Sequence, residues 1–272
     1  MNIRHIFRAL RNAAPRALAL ALVLCGVAAA ARAADVTDVI ARVKHSVVAV
    51  GTFERGRTPA FQFRGTGFAV GDGATIVTNA HVLPGVMDPV RNEVLAILTP
   101  GAGNEGQVRE VARLAVDPGS DLALVRLDGA PLPPLKLRAS DGVQEGQAIL
   151  ITGFPIGAIL GPFPATHRGM VSAVTPIAIP QGRAADLNPA LIRRLSGGSF
   201  PVFQLDATAY PGNSGSPVYD PVTGEVLGIV NMVFVKGTKE AALSEPSGIT
   251  YAVPANHLAA LLRSAVREEA KK

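Results

Sequence analysis

The sequence predicts an all-β protein that consists of two consecutive β modules of similar size. Short runs rich in β-branched residues alternate with Gly- and Pro-rich turns, a pattern typical of barrels or sandwiches and not of βαβ units. The proline-rich segment DGAPLPPLKLRASDG at 128–142 separates these runs into two groups. We therefore expect a first module within residues 34–136 and a second within residues 140–253.

Residues 1–33 have the features of a secretory signal peptide. Four arginines precede an apolar stretch at 17–31 that is too short to span a bilayer comfortably, and the small residues of ARA follow at 31–33. We expect this segment to be removed during export, with a retained membrane anchor as the alternative. Nothing later in the sequence approaches a membrane span, so we expect none in the processed protein.

Charge and cysteine content narrow the classes of partner. The chain has 26 Lys and Arg residues against 21 Asp and Glu residues, but five of the arginines and none of the acids lie in residues 1–33. The remainder is balanced in charge, which gives no reason to expect a nucleic-acid partner. Cys25, the single cysteine, also lies in the predicted signal peptide. We expect no disulfide, no metal site and no cofactor.

The individual elements follow from periodicity. An apolar stripe at Val36, Val39, Ile40 and Val43 predicts a short helix before the first module. Strands are predicted in the first module at SVVAVGTF, GTGFAV, TIVTNA, EVLAILTP, VREVARLAV and DLALVRL, and in the second at QAILITGFP, GMVSAVTPIAI, FPVFQLD, GEVLGIVNMVFV and GITYAVP. Segment 181–199 breaks the pattern and is expected to be a surface excursion, or else a gating or subunit-contact loop. A second apolar stripe predicts a helix within 254–272, at Leu258, Leu261, Leu262, Ala265 and Val266.

Two polar residues stand at the ends of apolar strands in the first module. His81 ends TIVTNAHV at a strand-to-loop corner, where a side chain can face a cleft. Asp121 opens the apolar run DLALVRL, and a buried carboxylate needs a partner because leaving it unpaired costs free energy. His81 is the candidate partner, and Asp117, in a turn before a proline, is the competing carboxylate. The histidines at 45, 167 and 257 are expected to be surface or packing residues.

Ser214 lies between two glycines in PGNSGSPV. The same residue types build any tight turn, so the fragment alone leaves a nucleophile and a plain turn both open. The nucleophile elbow of an α/β-hydrolase does not fit, because Pro217 opposes a continuing helix and that fold requires the order Ser, acid, His.

Taken together, the segments TNAHV, SDLALVRL and LDATAYPGNSGSPV, with GTGFAV, GMVSAV and GITYAVP in register, resemble chymotrypsin-fold serine endopeptidases. The resemblance is closest to the bacterial HtrA/Deg type and covers nearly all of residues 36–262. It implies two six-stranded antiparallel β-barrels, with Ser214 as nucleophile, His81 as general base and Asp121 as its orienting carboxylate. The backbone amides of Gly212 and Ser214 would form the oxyanion hole.

The resemblance also implies a specificity pocket. Thr208, six residues before the nucleophile, would lie at its base, and the neighbouring positions would be lined by Asn231, Met232, Val233 and Thr250. A neutral base and apolar walls predict cleavage after small or medium aliphatic residues. We expect two departures from relatives: no PDZ domain, and no activation by propeptide cleavage, because Asn213 stands where zymogen-activated enzymes carry an aspartate.

We therefore expect an exported serine endopeptidase that hydrolyses unfolded proteins or peptides, periplasmic in preference to extracellular. Two alternatives stay open: a catalytically weak, chaperone-like binder of unfolded chains, and an esterase for small substrates. A homo-oligomer is compatible with the resemblance. Cleavage of an unfolded protein such as casein would separate the endopeptidase from both alternatives.

Overall fold

The structure is a computed structural model that describes residues 35–85, 87, 90, 92–99, 106–155, 157, 163–176, 200–208, 210–231 and 249–270. A helix, α1, spans Val36–Lys44, and the Asp35 side chain caps it by accepting the N–H of Thr37 at 3.1 Å. Its buried residues are Val39 and Val43, as the apolar stripe predicts.

The first six strands close into a barrel in the order β1-β2-β3-β6-β5-β4, with antiparallel pairing throughout. Their bounds are β1 Val47–Phe53, β2 Phe61–Val70, β3 Thr75–Asn79, β4 Val94–Thr99, β5 Gln107–Asp117 and β6 Leu122–Leu127. A short 3-10 turn at Ala80–Val82 follows β3 and carries His81. The apolar interior of this barrel is a separate core cluster that includes Ile76, Ile97 and Val125.

The second barrel closes in the order β10-β11-β12-β9-β8-β7, again antiparallel. Its bounds are β7 Ala148–Gly153, β8 Ala165–Pro176, β9 Pro201–Asp206, β10 Pro217–Tyr219, β11 Val226–Val230 and β12 Ile249–Pro254. A second helix, α2, spans Ala255–Glu269. Another 3-10 turn lies at Ser140–Gly142, within the segment between the barrels.

The predicted all-β architecture of two six-stranded antiparallel barrels with flanking helices is confirmed. The segment between the barrels is tied to both, through isolated bridges from Leu135 to Val70 and from Leu137 to Val226. One strand, β10, has no counterpart among the predicted runs, since it has three residues and begins at Pro217. The insertion at 181–199 lies outside the described residues, as does the segment 1–33.

Besides the cluster inside the first barrel and a similar one formed by residues of the second barrel, a third apolar cluster joins the two barrels and both helices. It combines Val39 of α1 and Phe68 of the first barrel with Ile229 of the second and Leu258 of α2. The barrels therefore share this cluster in addition to their own apolar interiors. Within the described residues, no helix is long and apolar enough to cross a membrane.

Candidate active site

Asp121 occupies the corner immediately before β6 and is 4% exposed. Its backbone is left-handed, with φ at 57°, which is uncommon for a residue other than glycine. The carbonyl oxygen of Asp121 accepts the N–H of Ala80 and a side-chain N–H of Asn79, both at 3.0 Å. These two bonds fix the Asp121 corner against the turn that carries His81.

The Asp121 carboxylate faces His81. His81 Nδ1 lies 2.6 Å from Asp121 Oδ2, and the His81 backbone N–H donates to Oδ1 at 3.0 Å. The His81 side chain keeps 32% of its surface exposed, whereas the Asp121 side chain keeps 5%. A hydrogen on Nδ1 that is donated to the carboxylate leaves Nε2 as the basic nitrogen of the ring.

A third donor reaches the same carboxylate from the second barrel. Asn231, which follows β11 and is fully buried, donates its side-chain N–H to Asp121 Oδ2 at 2.9 Å. Its own backbone N–H donates to the carbonyl of Tyr251 at 2.8 Å. The sequence prediction gave Asn231 a role toward substrate and missed this contact; a polar residue directly after the buried run VLGIV was the available signal.

Ser214 is 6% exposed and lies in a turn shaped by two glycines. The Asn213 N–H donates to the Tyr210 carbonyl at 3.0 Å across Pro211 and Gly212, and Gly212 has φ at 106°. A type II turn requires positive φ at its third residue and commonly has proline at its second, as here. Gly215, at φ 87°, then redirects the chain toward β10, and a Cβ there would collide with the Thr66 carbonyl oxygen.

The backbone amides of Gly212 and Ser214 have no acceptor among the described residues. A side chain at Gly212 would collide with the carbonyl oxygen of Phe154 and would lie 3.0 Å from the Phe63 ring. The turn therefore presents two N–H donors, as an oxyanion hole requires. The Ser214 hydroxyl makes no hydrogen bond to the His81 ring within the described part of the chain; such contacts often tighten only when substrate binds.

The residues predicted for the specificity pocket are only partly described. Thr208 is half-buried and lines a cavity of 420 Å³ together with Arg168, Met170 and Asp206. Thr250 is buried, and its hydroxyl donates to the Ala207 carbonyl at 2.8 Å, so it supports the segment that leads to Thr208.

The remaining two pocket residues, Met232 and Val233, lie outside the described residues, so the pocket stays a prediction. The described part of the chain holds no cluster of three or more His, Cys, Asp or Glu side chains that could bind a metal ion.

A family model described as a trypsin-like peptidase domain matches residues 65–229.

Among curated proteins, the chain is 30% identical over 194 residues to one from Pseudomonas fluorescens and 28% identical over 190 residues to one from Halomonas elongata. Both are named "Probable periplasmic serine endoprotease DegP-like". The alignments cover 71% and 70% of this chain but 33% and 32% of those relatives, so the chain spans about a third of their length.

Solved structures share the fold. The HtrA-type protease AlgW with a decapeptide superposes with a TM-score of 0.60 at 21% identity, over 86% of this chain and 68% of that chain. The active form of the Rv3671c protease from M. tuberculosis gives 0.57 at 23% identity, over 83% of this chain and 82% of that chain. At these identities the structures establish the architecture.

Proposed function

The chain belongs to the trypsin-like peptidase domain family, and we propose that it is an exported serine endopeptidase whose triad is Ser214, His81 and Asp121. The observation that carries the proposal is the 2.6 Å contact between His81 Nδ1 and a buried Asp121 carboxylate at the junction of the two barrels. The amides of Gly212 and Ser214, for which the described part of the chain offers no acceptor, support it independently.

The proposed reaction follows the general scheme of serine hydrolases. His81 Nε2 takes the proton of the Ser214 hydroxyl as Oγ bonds to the carbonyl carbon of the substrate. The N–H groups of Gly212 and Ser214 stabilise the negative oxygen that forms. The C–N bond then breaks as His81 returns its proton to the leaving amine, and a water molecule, activated by the same histidine, releases the acyl group.

Asn231 is proposed as a positioning residue. Its side-chain N–H and the His81 ring both bind Asp121 Oδ2, so Asn231 limits the rotation of the carboxylate and favours its charged form. A charged, fixed carboxylate keeps the imidazole in the tautomer that leaves Nε2 free to act as a base.

We propose a class of substrates and not an individual substrate. Relatives named as periplasmic endoproteases support a periplasmic location and protein substrates. Thr208, at the proposed base of the P1 pocket, carries no charge, and the carboxylate that lines the same cavity, Asp206, is accompanied there by the cation of Arg168. We propose cleavage after Val, Ala, Ile, Leu or Thr in unfolded chains, because burying an aliphatic side chain is favourable and burying an unpaired cation is costly.

The test uses purified protein from which residues 1–33 are removed, and casein as the unfolded substrate. Wild type should release peptides, and Ser214→Ala should lower kcat by roughly 10⁴- to 10⁶-fold without changing the circular dichroism spectrum. Binding of casein without cleavage by wild type would favour the chaperone-like alternative. Hydrolysis of small esters alone would favour the esterase. Full turnover by Ser214→Ala would contradict the triad.

A further inference from the structure

Thr66 links the first barrel directly to the turn that carries Ser214. It lies on β2, is fully buried, and uses both its backbone and its side chain in contacts with the second barrel. Its N–H donates to the Ser214 carbonyl at 2.8 Å, and its hydroxyl donates to the Gly212 carbonyl at 2.8 Å. The same hydroxyl accepts the N–H of Phe154 at 3.1 Å. Both hydrogen-bonding functions of the hydroxyl are therefore used.

These contacts act on the peptide planes that flank the Ser214 N–H. The Gly212 carbonyl belongs to the plane before it and the Ser214 carbonyl to the plane after it, and Thr66 binds both oxygens. A peptide unit is planar, so its neighbours can rotate only about φ and ψ. Fixing the two outer planes restricts the inner plane, which carries one of the two proposed oxyanion donors. The Gly212 N–H adjoins the first of these planes and is restricted from one side.

Thr66 is itself hydrogen-bonded by β3, the strand that leads to His81. The hydroxyl of Thr78, on β3, donates to the Thr66 carbonyl at 2.7 Å. Thr78 precedes His81 by three residues along the chain. A short series of buried bonds thus runs from the strand that leads to His81, through Thr66, to the turn that presents Ser214.

We propose that Thr66 is a positioning residue that holds the Gly212 and Ser214 amides in the orientation needed for an oxyanion hole. The inference rests on the proposed function for its catalytic consequence. Thr66→Val keeps the side-chain volume and removes the hydroxyl, whereas Thr66→Ser keeps the hydroxyl. Displacement of reacting groups by about 1 Å can cost on the order of 100-fold in rate, so we expect Thr66→Val to lower kcat by about 10- to 100-fold.

Steady-state kinetics with a peptide substrate tests this. Because the oxyanion forms only after substrate binds, we expect the loss in kcat with KM within about twofold of wild type. Thr66→Ser should recover most of kcat. Thr99→Val is the matched control, since Thr99 is also a buried strand residue whose hydroxyl donates to a carbonyl, that of Gln107 at 3.2 Å, but on β4. Equal kcat in Thr66→Val and wild type, or equal losses in Thr66→Val and Thr66→Ser, would overturn the proposal.

Amide hydrogen exchange gives a readout that does not need activity. In a Ser214→Ala background, Thr66→Val should speed exchange in peptides that cover residues 210–216, while peptides from β5 and β6 stay protected. Unchanged exchange at 210–216 would overturn the proposal even if the wild type cleaved no substrate, whereas absence of cleavage alone would refute only the endopeptidase function. If Thr66→Val does not fold, Thr66→Ala replaces it, since the smaller residue leaves room for water at the two unpaired groups.

Discussion

Among the described residues, His81 donates two N–H groups to the Asp121 carboxylate and Asn231 donates one. The donors come from different barrels, so the carboxylate is oriented by groups that meet only in the folded molecule. N–H donors favour the charged form of a carboxylate, which offsets the cost of burying it. The Asn231 contact matters most for orientation because it shares Oδ2 with the imidazole.

Substitution of Asn231 tests that role. Asn231→Ala removes a hydrogen bond to a charged group, and we expect kcat/KM for a peptide substrate to fall about 10- to 100-fold. Asn231→Asp should be worse, because two carboxylates at hydrogen-bonding distance cannot both stay ionised. The two variants are compared at pH 8, with circular dichroism as the check on folding. Activity in Asn231→Asp equal to or above that of Asn231→Ala would contradict the assignment.

His167 on β8 gives the protein an acid-sensitive residue outside the proposed triad. The ring lies 6.4 Å, centroid to centroid, from the ring of Tyr210, which begins the turn before Ser214. Its Nε2 is buried with no hydrogen-bond partner in the described part of the chain. Burial lowers the pKa of His167 below its usual 6.5. Among β8 and the two strands that pair with it, the other charged residues are Arg168 on β8 and Asp206 on β9, both exposed, since β7 has none.

The sign of the pH effect follows from that shift. The unfolded chain binds the proton first as the pH falls through 6.5, so the free energy of unfolding decreases from there down to the folded pKa of His167. We expect the urea midpoint to drop between pH 7.5 and pH 5.0, and Thr in place of His167 to reduce the drop. The measurement uses a Ser214→Ala background to prevent autolysis, and His45→Gln, at an exposed site after α1, is the control. An equal drop in His167→Thr and the parent would disprove it.

Individual helices and strands could be predicted wherever the element has its own pattern of apolar residues. Of the strands that the structure describes, eleven coincide with predicted apolar runs, because β-branched residues pack well on the interior face of each barrel. The strand β10 was not predicted because it is short and starts with proline. His81 and Asp121 could be proposed as partners because each is a polar residue at the end of an apolar strand.

Contacts between elements were harder to predict. The pairing of Asn231 with Asp121 joins residues 110 positions apart, and that of Thr66 with Gly212 joins residues 146 apart. Such contacts depend on how the barrels dock, which no local periodicity encodes. The left-handed backbone at Asp121 was also unforeseen, since aspartate adopts it only where the surroundings stabilise it.

The whole molecule depends on the core shared by the two barrels. The helix α2 packs on β5 and β6 of the first barrel and on β11 and β12 of the second. His81 and Asp121 come from one barrel and Ser214 and Asn231 from the other, so the site exists only while this core holds the barrels together. A change in α2, far along the chain from the site, should therefore destabilise both barrels at once.

One leucine and one valine of α2, Leu258 and Val266, separate this effect from helix propensity. Leu258 and Val266 both belong to the apolar stripe from which this helix was predicted, but Leu258 is fully buried and Val266 is 63% exposed. We expect Leu258→Ala to lower the free energy of unfolding by about 2–5 kcal/mol, through lost burial and a cavity, and Val266→Ala to change it by less than about 0.5 kcal/mol. Urea unfolding followed by far-ultraviolet circular dichroism in the Ser214→Ala background measures both. The apolar cluster around Leu258 contains residues of both barrels. Leu258→Ala should therefore shift a single cooperative unfolding transition without changing the dependence of the unfolding free energy on urea concentration. Two separate transitions in that variant, or equal effects of the two substitutions, would show that the barrels do not depend on a common core.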